Sequence, residues 1–176
     1  MDTKNLATLY DLPAMEWSPI ESRLSEGLTQ APGTGGPNRH TSWLATINPD
    51  GSPHVTAVGA LWVDGTFWFQ TGPNTRKARN LALNPRCSIS TAAHDFDVTV
   101  NGEAGLITDP DTVAAMAARW AEGEWPVRVD ESGSALTADF SAPSAGPPPW
   151  FVYRLQPSGA TALLTTEPGG ATTWKF

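Results

Sequence analysis

Thr66-Phe67-Trp68-Phe69-Gln70-Thr71-Gly72-Pro73-Asn74-Thr75-Arg76-Lys77-Ala78-Arg79-Asn80-Leu81 is the stretch from which the rest of the chain is read. Its first six residues, aromatic and β-branched, read as a strand, and Gly72-Pro73-Asn74 as a turn. Thr75 then stands at a helix N-cap. Ala78 and Leu81, three apart, with Ala82 beside them, mark the buried face of a helix over 75–83 that stops before Pro85. Three of the chain's eleven basic residues fall in this helix, in a protein of formal net charge -7. Free N–H groups at a helix start, followed at once by Arg76 and Lys77, form a compact anion receptor and point to a phosphorylated small ligand. A plainer reading stands beside it: Thr75 caps the helix, and Arg76, Lys77 and Arg79 are its solvated face.

Upstream, Ser18-Pro19-Ile20-Glu21 has the form of a capping box with Pro at N1, so a helix is expected over 18–28. The Gly- and Pro-bearing residues 29–39 read as a loop. Residues 41–47 form an apolar strand, Asn48-Pro49-Asp50-Gly51 a turn, and 53–63 a long strand that Asp64-Gly65 folds back into 66–71. Three successive antiparallel strands are therefore expected. Downstream, 86–91 is a strand, and 95–107 another, in which Val98, Val100 and Ala104 face one side and Thr99, Asn101 and Glu103 the other. Asp109-Pro110 opens a helix to about residue 121, residues 122–149 form an ordered loop with short elements, and strands over 151–156 and 159–166 close the pattern. This predicts a mainly β fold with peripheral helices (α+β), arranged as a small closed or nearly closed barrel.

With 176 residues, one domain over 1–176 is expected: helix and loop to 40, core strands and phosphate-binding helix over 41–108, helix and irregular segment over 109–149, closing strands over 150–176. The acidic balance argues against nucleic acid and anionic membranes as partners, and no apolar run reaches membrane-spanning length, so a cytoplasmic location is expected. The single cysteine, Cys87, excludes an internal disulfide and reads as a buried strand residue. His40, His54 and His94 show no metal spacing, and no G-x-S-x-G elbow exists. No catalytic side chain is identified. A cofactor is expected to bring the chemistry.

Residues 45–55 (Ala-Thr-Ile-Asn-Pro-Asp-Gly-Ser-Pro-His-Val), Trp68-Phe69-Gln70-Thr71 and Thr75-Arg76-Lys77-Ala78-Arg79-Asn80-Leu81 together resemble the pyridoxamine 5'-phosphate oxidase-like superfamily, with its FMN-binding split β-barrel. Within it the chain is most similar to the flavin/deazaflavin oxidoreductases, whose common ending the 171–176 segment Ala-Thr-Thr-Trp-Lys-Phe resembles. The resemblance implies a homodimer with the cofactor at the subunit interface. It implies that Thr75, Arg76 and Lys77 hold the cofactor phosphate, that His54, Val55, Thr56, Phe69, Gln70 and Thr71 line its ring and ribityl chain, that Asn80 holds the helix against the site, and that Trp174 and Lys175 reach it from the partner subunit. For Asn80 and Trp174, packing alone is the alternative role.

The chain departs from pyridoxamine phosphate oxidases in lacking a basic C-terminus, since beyond Arg154 only Lys175 is basic, so a role in vitamin synthesis is not expected. Among the eight tryptophans, Trp62 and Trp68 are expected to pack on strands, and Trp120, Trp125 and Trp150 flank the irregular segment as candidate walls of a substrate pocket. The implied activity is hydride transfer between coenzyme F420 and a small unsaturated organic substrate. FMN is the alternative cofactor, and a non-catalytic flavin carrier or sensor, or a haem-binding protein, the alternative function.

Overall fold

The computed structural model describes residues 1–27, 41–123, 125–142 and 144–176. In chain order the elements are β1 (Asp2–Asn5), a 3-10 turn (Thr8–Tyr10), α1 (Trp17–Glu26), β2 (Thr41–Ile47), β3 (Pro53–Gly59), β4 (Leu61–Val63), β5 (Thr66–Thr71), α2 (Arg76–Leu83), β6 (Arg86–Ala92), β7 (Phe96–Ile107), α3 (Pro110–Glu122), β8 (Arg128–Val129), β9 (Leu136–Thr137), β10 (Phe151–Leu164) and β11 (Gly170–Lys175). The loop read over 29–39, and His40, lie outside the described residues. Among those residues, no helix is long and apolar enough to cross a membrane.

The strand read over 53–63 is broken at Ala60, and the break changes the architecture. Before it, β3 pairs with β2. After it, β4 pairs with β5 through a hairpin whose Asp64 and Gly65 both have positive φ, 49° and 73°. That is the geometry Asp-Gly hairpins favour, because only such a turn matches the twist of the strands. The expected meander of three paired strands is thus two separate hairpins.

The nine-stranded antiparallel sheet runs β1-β11-β10-β7-β6-β2-β3, with β5 joined to β10 and β4 to β5. Its backbone is β10, a single strand where two were expected. One edge of β10 carries β5 along Phe151–Leu155 and β11 along Gly159–Leu164, while the other carries β7. Among the described residues no ladder joins β3 to β5. This corrects the expected split β-barrel: the fold is a mixed α+β arrangement around a large open antiparallel sheet. Strand β11, within the closing strands expected over 150–176, pairs with β10 and with β1; β1 carries no strong apolar alternation that marks it as a strand.

β5 is buried on both faces, which explains its unbroken apolar run. Phe67 and Phe69 enter a core with Trp17, Ile20 and Leu24 of α1, Leu44, Val100, Leu155 and Trp174. Trp68 faces the other way, into a second core with Val113, Met116 and Trp120 of α3, Leu136, Trp150 and Val152. α3 begins as its sequence requires, with the Asp109 carboxylate accepting from the Thr112 N–H at 2.9 Å and Pro110 in the first turn. α1 does not. It begins at Trp17 after an N-cap Glu16 that makes no side-chain cap bond, which leaves Ser18 and Pro19 inside the first turn. Pro is tolerated there because N–H groups of the first turn have no intrahelical partner.

Candidate functional site

β5 ends at the buried Thr71, and the chain reaches α2 through a tight connection built on hydroxyl groups. The Thr75 hydroxyl donates to the Gly72 carbonyl at 2.9 Å, lies 3.0 Å from the Thr71 hydroxyl, and accepts from the Ala78 N–H at 3.3 Å. One hydroxyl proton is available, so with it directed at Gly72 the Thr71 hydroxyl is the donor in the Thr71–Thr75 pair. Thr75 is therefore the N-cap of α2, with its bonding capacity engaged inside the chain.

The helix does not present its cations uniformly to solvent. Arg76 and Arg79 are exposed, whereas Lys77 is buried, along with Ala78, Asn80 and Leu81, and Ala82 is exposed rather than packed. The Lys77 ammonium donates to the Ser144 carbonyl, and burial holds its pKa below the ordinary lysine value. The ion pairs among the described residues are Arg23–Asp95 and Arg128–Asp139, so Lys77 has no carboxylate partner there. The Gly72 N–H donates to the Ala145 carbonyl at 3.0 Å, and a Cβ at Gly72 would stand 2.6 Å from that oxygen. A side chain at this position would displace the 144–147 segment. The segment thus lies directly on the strand–helix junction, a contact between distant parts of the chain for which no local sequence signal exists.

Asn80, 1% exposed, ties α2 to the β2–β3 hairpin. Its amide donates to the Thr46 hydroxyl and to the side-chain oxygen of Asn48, both at 3.0 Å. Gly51, with φ of 83°, turns the hairpin. The hydroxyl and N–H of Ser52 hold the Asp50 carboxyl below its usual range, with a smaller pull from the charge of Arg76. His54 follows in register opposite Thr46, half-buried, with Val55 exposed and Thr56 half-buried. Thr71, Thr75, Lys77 and Asn80 are thereby assembled beside the hairpin that carries His54, Val55 and Thr56.

The remaining predicted residues sit apart. Phe69 is fully buried and stacks on Tyr153 at 5.3 Å. Gln70 projects to the opposite face, where its side-chain carbonyl oxygen is buried without a partner. Trp174 is buried against Trp17 at 5.3 Å in the chain's own core, and Lys175 is exposed. Trp120 and Trp150 are packed in the second core, with the Trp150 indole donating to the Gly146 carbonyl at 2.9 Å. Trp125 is half-buried beside Trp150 and Phe140. A cavity of about 220 Å³ lies between the ends of α1 and α3, and an open groove of about 540 Å³ runs over β2, β6, β7 and β10. Neither is lined by any of these predicted residues. Among the described residues, no group of three or more His, Cys, Asp or Glu is placed to hold a metal.

Chemically, the junction fits an anion. A buried ammonium whose neighbour is a neutral carbonyl keeps an uncompensated charge and further N–H donors, and the adjacent Arg76 is exposed. This donor set suits a phosphate, and it includes no nucleophile–base pair.

Residues 36–139 match the profile of the family described as pyridoxamine 5'-phosphate oxidase. A pyridoxine/pyridoxamine 5'-phosphate oxidase of Cupriavidus necator is 28% identical over 138 residues, which cover 69% of this chain and 65% of the relative. The chain thus spans just under two thirds of that relative's length. Among solved structures, a pyridoxamine 5'-phosphate oxidase-related, FMN binding protein of Nostoc punctiforme superposes with a TM-score of 0.55 at 18% identity, covering 77% of this chain and 80% of that one. A heme binding protein of Mycobacterium smegmatis gives 0.58 at 20% identity, covering 92% and 60%. The fold is common to proteins with different ligands, so the choice of ligand rests on the site.

Proposed function

This chain belongs to the pyridoxamine 5'-phosphate oxidase family, and from that premise we propose that it is a flavin-dependent oxidoreductase that takes FMN, with Lys77 and Arg76 holding the cofactor phosphate at the start of α2. The observation that carries this reading is the buried Lys77 ammonium, bonded to a carbonyl and, among the described residues, to no carboxylate. A buried charge left in that state is costly unless an anion completes it. FMN, when bound, supplies hydride and electron transfer to a small organic substrate. The chain's own part is binding and orientation: Thr75 fixes the helix start, and Asn80 fixes its angle to the β2–β3 hairpin. No side chain is assigned a proton-transfer role.

The family match and the curated relative favour FMN over coenzyme F420, which is the second reading and rests on the resemblance of the 171–176 ending. Cofactor titration of the purified chain, followed by flavin fluorescence, tests both. Micromolar or tighter FMN binding supports the first reading, and F420 binding without FMN binding replaces it with the second. A tightly held flavin with no turnover across a broad panel of acceptors marks a carrier. Assembly as a homodimer is also proposed, through the exposed outer face of β2 and β3, where Trp43 and Val55 are 38% and 58% exposed.

A further inference from the structure

The partner that Lys77 finds in this chain is a backbone carbonyl of a segment that touches the junction at two points. The Ser144 carbonyl accepts from Lys77, and the Ala145 carbonyl accepts from the Gly72 N–H. The segment is a tight turn: the Ala145 and Gly146 N–H groups both donate to the Ala142 carbonyl, at 3.0 and 2.8 Å, and Gly146 has a φ of 74°. Behind it, the Trp150 indole holds the Gly146 carbonyl at 2.9 Å. The turn is thus anchored to the second core on one side and latched to the anion site on the other.

Resting on the phosphate role given to Lys77, we propose that residues 144–147 are a displaceable strap that competes with the ligand phosphate for Lys77 and Gly72. A neutral carbonyl is the weaker partner for an ammonium, because bonds between two charged groups are roughly twice as strong as neutral ones. The Gly72 N–H is a single donor held by the Ala145 carbonyl, so a phosphate that takes it displaces the strap there, and the ammonium, offered a charged partner, leaves Ser144 with it. Closure in the empty protein keeps the buried charge partnered. It also raises the apparent dissociation constant, to the intrinsic value divided by the fraction of molecules in which the strap is open. Because the strap is hooked to Trp150, its release connects phosphate binding to the aromatic group of Trp125, Phe140 and Trp150.

Gly72→Ala is the decisive variant. Its Cβ would meet the Ala145 oxygen at 2.6 Å, so it disfavours the closed strap without removing a cation. The latch bonds end on the Ser144 and Ala145 carbonyls, so the 13C shifts of those two carbonyl carbons in the full chain, with and without FMN, are measured alongside FMN affinity for wild type, Gly72→Ala and Lys77→Met. The strap predicts that FMN moves both shifts, that Gly72→Ala alone moves the Ala145 shift the same way, and that Gly72→Ala binds FMN about threefold tighter or more. Weaker FMN binding in Lys77→Met, with both shifts unaltered by FMN and no gain in Gly72→Ala, overturns the strap and leaves the phosphate role standing. Undiminished FMN affinity in Lys77→Met removes the phosphate role and the strap with it. Should Gly72→Ala fail to fold, the wild-type shifts decide alone: movement of both on FMN binding supports the strap, and its absence overturns it.

Discussion

The side-chain amide of Asn80 and the hydroxyl of Thr46, thirty-four positions apart in sequence, meet at 3.0 Å in a buried contact between α2 and β2. Both residues are nearly inaccessible, and the same Asn80 nitrogen also reaches Asn48. Replacing Asn80 by Ala leaves the buried Thr46 hydroxyl and the half-buried Asn48 side-chain oxygen without this donor, and the hairpin without its tie to the helix. The expected loss is about 1–3 kcal/mol of unfolding free energy, the usual penalty for a buried polar group left unmatched. Denaturant unfolding checks it. A loss of cofactor affinity larger than the loss of stability would show that the tie also sets the angle of the site.

Thr75 separates two roles. As the cap of α2 it should cost about 1 kcal/mol when changed to Ala and almost nothing when changed to Ser, which retains the hydroxyl. Thermal unfolding of the two variants tests this. If Thr75→Ala instead abolishes FMN binding with stability intact, the hydroxyl belongs to the ligand and not to the helix.

The sequence was most legible where local chemistry fixes local shape. The cap at Thr75, the Asp109-Pro110 start of α3, the Asp64-Gly65 hairpin and the alternation of β7 follow from turn and periodicity rules. The break at Ala60 and the single long β10 were not legible, because each depends on which distant strand supplies a partner. The burial of Lys77 follows the same logic. A lysine at a helix start reads as solvated until the 144–147 segment, far along the chain, is laid over it. Trp120 and Trp150 read as pocket walls from the irregular sequence around them, yet the second core needs large side chains to fill the space under α3.

Cys87 and Lys77 should give stability opposite pH dependences. Burial pushes the Cys87 thiol up to about 12 from an ordinary 9.0. Its contribution is complete below pH 9 and is lost as pH rises, because the unfolded chain ionises first. Lys77 has a depressed folded pKa, so stability rises with pH between that value and the ordinary 10.5. Between about pH 8 and about pH 10 the two oppose each other, so the thiol is isolated by difference: wild type should lose stability relative to Cys87→Ala with a slope approaching about 1.4 kcal/mol per pH unit. Cys87→Ala alone should show the rise, and adding Lys77→Met should flatten it. Chemical denaturation across this range is the measurement. Parallel pH profiles of wild type and Cys87→Ala reject the assignment.

Val55→Glu tests the proposed dimer face. Val55 is 58% exposed, so a charge there costs the folded monomer little. In a twofold interface the same residue approaches its own symmetry-related surface, where an unpaired buried charge is strongly unfavourable. Sedimentation at micromolar concentration should show a wild-type dimer and a mutant monomer, both folded by circular dichroism. A wild-type monomer with and without FMN ends the dimer proposal.

Arg76 and Lys77 are neighbours in sequence, but their contributions to phosphate binding should respond differently to salt. Arg76 is exposed, so its attraction to a phosphate is screened by ions over a Debye length of about 10 Å at 0.1 M. Lys77 is buried and bonded within the chain, where mobile ions do not reach it. Arg76→Ala should weaken FMN binding about tenfold at low salt, the size expected for one charge-assisted contact, with the deficit shrinking as salt is raised and stability unchanged. Lys77→Met should weaken binding by a factor that stays nearly constant across the same salt series. Fluorescence titration of both variants at several ionic strengths measures the contrast. If the two deficits fade in parallel, Lys77 meets the phosphate at the open surface and not in the buried site, and its role as the inner anchor is rejected.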